Sequence, residues 1–361
     1  MIKIDLEKKL NLSGKNFNTS TQKFCDEILN YKHEIVTLTK DTVKNKKTKK
    51  KKKKKKKNKK IIKRNRFDLS INKDTEYSAK TKMKIEDILY HQYINDINVK
   101  KYIDEIFYSL DSSQKCRKLL EEILLCSPED MEIRVKKIDN YKGIQPKEKI
   151  KKIFDYEREK KSSTDRIGQI FRDANFKVCV YCNRNYISNF ETNNRKRITF
   201  TLDHFHQKNK YPILALSLYN LVPSCAVCNT NIKNTRNVKQ YMNPHSSNYR
   251  FNEEAKFTFL VNNNVFIQTS NSDCQDYIND FYINDVYQTH KLEVEEIINK
   301  RKIFTDDMIR KLSKFSNRHE TELKSFLFGE VIYTNNIANE SLGKLKVDIA
   351  SQLNIIDDIK I

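Results

Sequence analysis

Apolar positions along this chain change their period twice. From about Lys84 they recur at three- and four-residue steps: Ile85, Ile88, Leu89 and Tyr93, then Tyr102, Ile103, Ile106 and Phe107. That spacing lines one side of a helix. Ser127-Pro128-Glu129-Asp130 predicts a helix start, with a capping hydroxyl, Pro in the first turn and acids beside the positive end of the helix dipole. Pro146 opens another helix through Ile150, Ile153 and Phe154, so residues 85–174 are expected to be mostly helical, in five helices. Near Phe176 the pattern changes. Asn185–Glu191 and Lys196–Asp203, rich in Tyr, Ile, Phe and Thr, flank Thr192–Arg195 and predict a β-hairpin. A short apolar segment, Ile213–Leu216, follows Pro212. Phe257–Val261 and Val265–Thr269 around Asn262–Asn264 predict a second hairpin. Helical spacing returns from Val286, through Leu292, Val294, Ile297 and Ile298 to Met308, Ile309 and Leu312.

Residues 1–40 alternate short apolar and charged clusters without a clear element, and there is no internal repeat. The expected fold class is mainly α with a small central α+β unit. Its expected segments are an ill-defined 1–83, a helical 84–175, a central 176–250, and a 251–361 region with one hairpin and further helices.

Charge refines this division. The 361 residues carry a formal net charge of +23, but residues 44–66 hold 15 Lys and 2 Arg with no acid. Like charges at that density repel one another and bury nothing, so a solvated, disordered arm is expected there. Residues 177–250 carry 11 Lys and Arg against two acids, Glu191 and Asp203, which leaves −3 for the other 264 residues. The positive field useful for a phosphate partner therefore surrounds the centre. Arg184, Lys208, Lys210 and Lys233 are its candidate nucleic-acid contacts. The Lys tract adds non-specific attraction at most.

Several classes are excluded. With five Gly and no G-x-x-x-x-G-K, the chain has no phosphate-binding loop, so it is not expected to hydrolyse ATP. Its opening, Met1-Ile2-Lys3-Ile4-Asp5, lacks the apolar stretch of a signal peptide, and no run approaches the about 18 apolar residues of a membrane span. No membrane association and a reducing cytoplasm are expected.

Eight cysteines fit that setting as thiols. Four form two C-x-x-C pairs, Cys179/Cys182 and Cys225/Cys228, separated by 42 residues. Four thiolates fill the tetrahedral shell of a structural Zn²⁺, two from each knuckle. Cys25, Cys116, Cys126 and Cys274 lack such spacing and read as small buried hydrophobes. Inside the interval stand Asp203-His204 and Asn220, and Asn229 follows the last knuckle at the expected start of a helix. A carboxylate and an amide oxygen suit a hard divalent cation such as Mg²⁺ or Mn²⁺, and a neutral imidazole can take the proton of an attacking water. His206, on the same side as His204 if the strand continues, is expected to pack locally. A competing reading is a non-catalytic zinc module that binds nucleic acid or a protein partner.

Leu202-Asp203-His204-Phe205, Tyr211-Pro212, and the run Asn220-Leu221-Val222-Pro223-Ser224-Cys225-Ala226-Val227-Cys228-Asn229 resemble the HNH (His-Me finger) endonucleases. Gln207 stands where many relatives carry Pro. The resemblance implies a ββα-metal core with a treble-clef-like zinc site. It implies His204 as general base, Asn220 orienting it, and Asp203 and Asn229 as ligands of the catalytic ion. DNA is the expected substrate, with RNA such as tRNA as the alternative. The stretch Cys179–Ile187 and the ending Ser341–Ile349 resemble a bacterial anti-phage group, Septu-like and retron-associated, whose nuclease pairs with an ABC-type or SMC-like ATPase. That resemblance implies such an ATPase or sensor as partner.

Overall fold

The computed structural model describes residues 2–36, 67–68, 80–160, 167–192, 195–234, 243–260, 264–334 and 336–356. The expected disordered arm, 44–66, lies outside them. The chain is mainly helical with small sheets, and it divides into two compact units. One is built from Asn18–Ile170 and His206–Asn220, the other from Met1–Phe17, Phe171–Phe205 and Leu221–Ile361. The segments expected from sequence are linear, whereas these units interleave. Among the described residues no helix is long and apolar enough to cross a membrane.

The first unit is helical with one edge sheet. Strands β1 (Lys32–Val36), β2 (Phe67–Asp68) and β3 (Lys80–Lys84) run in the order β2-β1-β3, with β1 parallel to β2 and antiparallel to β3. Helices Ile85–Asn95, Ile97–Ile106, Ser113–Leu124, Pro128–Asn140 and Lys147–Ile153 follow, then the short Tyr156–Lys160. Their starts obey local chemistry. Asp96 accepts from the backbone N–H of Asn98 and Val99, and Ser127 accepts from Asp130 ahead of Pro128. The periodic residues Ile88, Leu89, Ile103 and Ile106 are fully buried.

Among its described residues the second unit carries three two-stranded sheets. Strands β4 (Asn189–Thr192) and β5 (Arg195–Ile198) form a hairpin, β6 (Thr201–His204) pairs antiparallel with β7 (Leu221–Ser224), and β8 (Ala255–Phe259) pairs with β9 (Val265–Thr269). Helices run from Ser272 to the last one, Gly343–Gln352. That last helix brings a buried ion pair, Lys344 Nζ to Asp348 Oδ2 at 2.9 Å. Burial pushes the Lys344 ammonium down, and Asp348 holds it up while also accepting from Phe257 N–H at 2.8 Å. Asn183, in left-handed backbone at φ 51°, donates to Ile337 O at 2.8 Å and accepts from Lys344 N–H at 2.8 Å. This fastens the helix start to the first cysteine knuckle.

Four expectations need correcting. Within 1–40, the described residues 2–36 form helices Leu6–Leu12 and Phe17–Leu29 plus β1. Asp5 caps the first, and Phe24, Cys25, Ile28 and Leu29 bury one face of the second. The expected strand Lys196–Asp203 is broken: β5 ends at Ile198, and Asp203 pairs with Val222 instead. The physical reason is that a partner 19 residues away leaves no local signal. Residues 85–174 hold seven helices among the described residues rather than five, because short ones such as Tyr156–Lys160 complete too few turns to show a period. The last helical stretch begins at Ser272 rather than Val286, where Asn271 accepts from Asp273 and Cys274 N–H.

At Gly343 a Cβ would lie 2.9 Å from both the Cα and the carbonyl O of Ile337. Gly343→Ala is expected to destabilise the second unit by about 1–3 kcal/mol, the range for overpacking a tight site. Chemical denaturation should show this as a lower midpoint at unchanged slope.

Candidate metal centre

The four cysteines of the two knuckles come together. Ligand atoms of Cys179, Cys182, Cys225 and Cys228 lie within 4.8 Å of one another, all buried, and none is in a disulfide. A tetrahedral zinc shell with bonds of about 2.3 Å fits that spread. Donors aimed at the sulfurs complete it. Cys179 Sγ accepts from Cys225 N–H at 3.2 Å, and Cys225 Sγ accepts from Asn185 Nδ2 at 3.1 Å. Such bonds stabilise thiolates. Burial pushes Cys179 up, whereas hydrogen bonds from the neighbouring thiols push Cys182 and Cys225 down. Four thiols this close cannot all ionise without a cation among them, and the cluster can hold a metal ion such as zinc.

The knuckles are themselves gripped from the helices behind. Tyr277 OH donates to Tyr181 O at 2.9 Å and Tyr287 OH to Cys182 O at 2.6 Å. Tyr181 and Tyr277 both pack on Phe281.

From this base one side chain reaches outward. Tyr181, between the first two cysteines, donates its hydroxyl to Asp203 Oδ2 at 2.6 Å. Lys233, at the end of the π-helical segment Val227–Lys233 that leaves the second knuckle, places Nζ 2.8 Å from the same Oδ2. It also donates to His204 O at 2.9 Å. Burial pushes the Asp203 carboxyl up, and the Lys233 ammonium pulls it back, aided by Tyr181 and the His204 backbone N–H. The Tyr181 phenol is driven well up by burial and by Asp203, so it stays a donor.

The remaining candidates are spread more widely. His204 closes β6 opposite Leu221, 8% exposed. Asn229 Nδ2 donates to Thr201 Oγ1 at 2.8 Å, and Thr201 spends its own proton on Ser224 O, which turns the Asn229 amide oxygen away from Thr201. Arg184 donates from Nε to His290 Nε2 at 2.9 Å, and His290 Nδ1 donates to Glu293. Comparison of the chain with protein-family models, curated proteins and solved structures finds no match.

Asn220, His206, Lys208 and Lys210 lie in the other unit, and Lys233 departs from the role expected of it. Asn220 lies in the helical unit, where it closes the loop 206–220. Its Oδ1 accepts from His206 N–H at 2.7 Å, and its Nδ2 donates to His206 O and Leu214 O. Strand β6 ends at His204, so His206 does not continue it; its Nε2 lies 3.1 Å from Glu132 Oε1. Lys208 and Lys210 are surface cations paired with Glu157 and Asp139. Exposed pairs of this kind are worth about 0–1 kcal/mol and exchange easily for phosphate. Lys233 is no surface cation: at 1% exposure it serves Asp203. Sequence reading missed Tyr181, though its place inside a C-x-x-C turn kept it near the cluster.

His245 was also unassigned. It donates from Nε2 to Leu221 O at 3.0 Å, opposite His204 in the ladder, and burial pushes it down to about 4.

Two outcomes follow. Replacing Cys182 and Cys225 together by Ser should abolish the expected one equivalent of bound zinc in elemental analysis. It should also destabilise the unit by several kcal/mol, since structural metal binding is folding free energy. For His245, the unfolded chain takes a proton near pH 6.5 and the folded one resists until about 4. Stability is therefore full above pH 6.5 and falls between 6.5 and 4, by about 3 kcal/mol at most. His245→Gln should flatten that portion of the stability profile measured by denaturant titration.

Proposed function

We propose that this chain is a metal-dependent HNH endonuclease that hydrolyses phosphodiester bonds of DNA, on a ββα-metal core with a treble-clef-like zinc site. The observation that carries this reading is the seat of Asp203-His204. The pair lies at the end of β6, is paired to β7, is followed by the helical segment bearing Asn229, and is tied by Tyr181 and Lys233 to both knuckles.

In this reading His204, as a neutral imidazole, takes the proton of a water attacking phosphorus. Pairing through β6 and the Lys233 bond to its carbonyl fix its backbone, so the imidazole starts from one place. The Asp203 carboxylate and the Asn229 amide oxygen suit a divalent ion such as Mg²⁺ or Mn²⁺, which would neutralise charge at the phosphate and the departing 3′ oxygen. Asn220 orients the loop just beyond His204 by clamping His206. Arg184, Lys208 and Lys210 contact the nucleic-acid backbone. RNA such as tRNA is the alternative substrate.

A second reading has one observation in its favour. Asp203 is 5% exposed and already bonded to an ammonium and a phenol, as it would be in a purely structural zinc module that binds nucleic acid or a protein. By the resemblance to anti-phage nucleases, the helical regions dock an ABC-type or SMC-like ATPase or sensor, which co-purification would reveal.

Cleavage of plasmid DNA and tRNA decides between the two. The parent protein should cut with Mg²⁺ or Mn²⁺ and stop in EDTA. His204→Ala should lose at least about 10³-fold in rate while retaining zinc and its thermal transition, in line with the loss of a general base. A His204→Ala variant that cuts as fast as the parent sinks the mechanism.

A further inference from the structure

A buried ammonium persists only with an anion and further acceptors around it. Lys233 has both: Asp203 Oδ2 at 2.8 Å and His204 O at 2.9 Å, at 1% exposure. The carboxylate is heavily engaged in turn. Its Oδ2 accepts from Lys233 and from Tyr181 OH at 2.6 Å, and the backbone N–H of His204 also hydrogen-bonds to it. A divalent ion at this carboxylate would meet an ammonium of like charge within ordinary contact distance, with little water between them to screen the repulsion.

Resting on the nuclease reading above, we propose that Lys233 is the resident counter-cation of Asp203, which a divalent ion must displace before Asp203 can ligate it. Lys233 is then a positioning residue that sets the metal affinity of the site. It keeps the Asp203 carboxylate paired and the His204 backbone in place while no ion is bound. Its location suits this exchange. Lys233 ends the helical segment on which Asn229, the other proposed ligand, stands four residues earlier. One shift of that segment moves the competitor and the ligand together. Segments with π-helical bonding, as here with Asn234 N–H to Asn229 O at 2.9 Å, recur at functional sites.

Mn²⁺ binding to the zinc-loaded full chain, followed by electron paramagnetic resonance, tests this without reference to turnover. Lys233→Met and Lys233→Gln should each bind Mn²⁺ at least tenfold more tightly than the parent, and adding Asp203→Asn should remove that gain. The half-saturating Mn²⁺ for cleavage should fall in proportion, while kcat falls because His204 is less firmly held. Mn²⁺ affinities within twofold of the parent in both variants overturn the proposal. So does loss of zinc and of a cooperative melt in both, because a cation whose departure unfolds the unit cannot be displaced by a metal. The nuclease reading fails separately, when the parent and His204→Ala alike cleave nothing whatever the Mn²⁺ titration gives.

Discussion

Four thiols confined within 4.8 Å of one another are a constraint that the surrounding chain is arranged to satisfy. As thiolates they repel, and in a buried place that repulsion is poorly screened. A dication among them turns repulsion into a tetrahedral anchor that holds residues 46 positions apart in register. Backbone N–H groups and the Asn185 amide point at the sulfurs, and the phenols of Tyr277 and Tyr287 hold the knuckle carbonyls. A unit with so few paired strands gains from such an anchor a rigidity that its short sheets could not supply.

The same anchor is passed on to a carboxylate. Tyr181 extends from one knuckle and Lys233 from the segment after the other, and both end on Asp203 Oδ2. Two donors on one oxygen fix a carboxylate in position and orientation better than either would alone. The adjacent His204 inherits that placement through its backbone. The last helix applies the same logic elsewhere. Lys344 and Asp348 satisfy each other out of water, and Asp348 spends its remaining capacity on a backbone N–H of β8. In both places a buried charge is tolerated because its partners sit within hydrogen-bond distance, and one of those bonds crosses between elements: Lys233 reaches β6 and Asp348 reaches β8.

Much of this was legible beforehand. The C-x-x-C spacing declared the cysteine cluster, because ligands three positions apart in a tight turn can converge on one ion whatever the rest of the chain does. Helices with a strong period and a local cap, such as Pro128–Asn140, were legible because both signals lie within a turn of the residues concerned. The hairpin β8–β9 was legible for the same reason, since strand and partner are separated by a short polar run. Short helices such as Leu6–Leu12 and Tyr156–Lys160 were not, as two turns or fewer of apolar spacing are hard to tell from chance.

The pairing of β6 with β7 and the fate of Lys233 belong to another level. Asp203-His204 announced a carboxylate and an imidazole, but not that the strand bearing them would leave the preceding hairpin for a partner beyond a loop. Lys233 stood in the chain as one cation among many in a basic segment, equally suited to solvent or phosphate. Sequence by itself determined which side chains could ligate, donate or accept, because that is fixed by their chemistry. Tertiary structure alone decided which of those capacities are already spent. A lysine excluded from water must take the nearest carboxylate, and only the packing of the chain makes that neighbour Asp203.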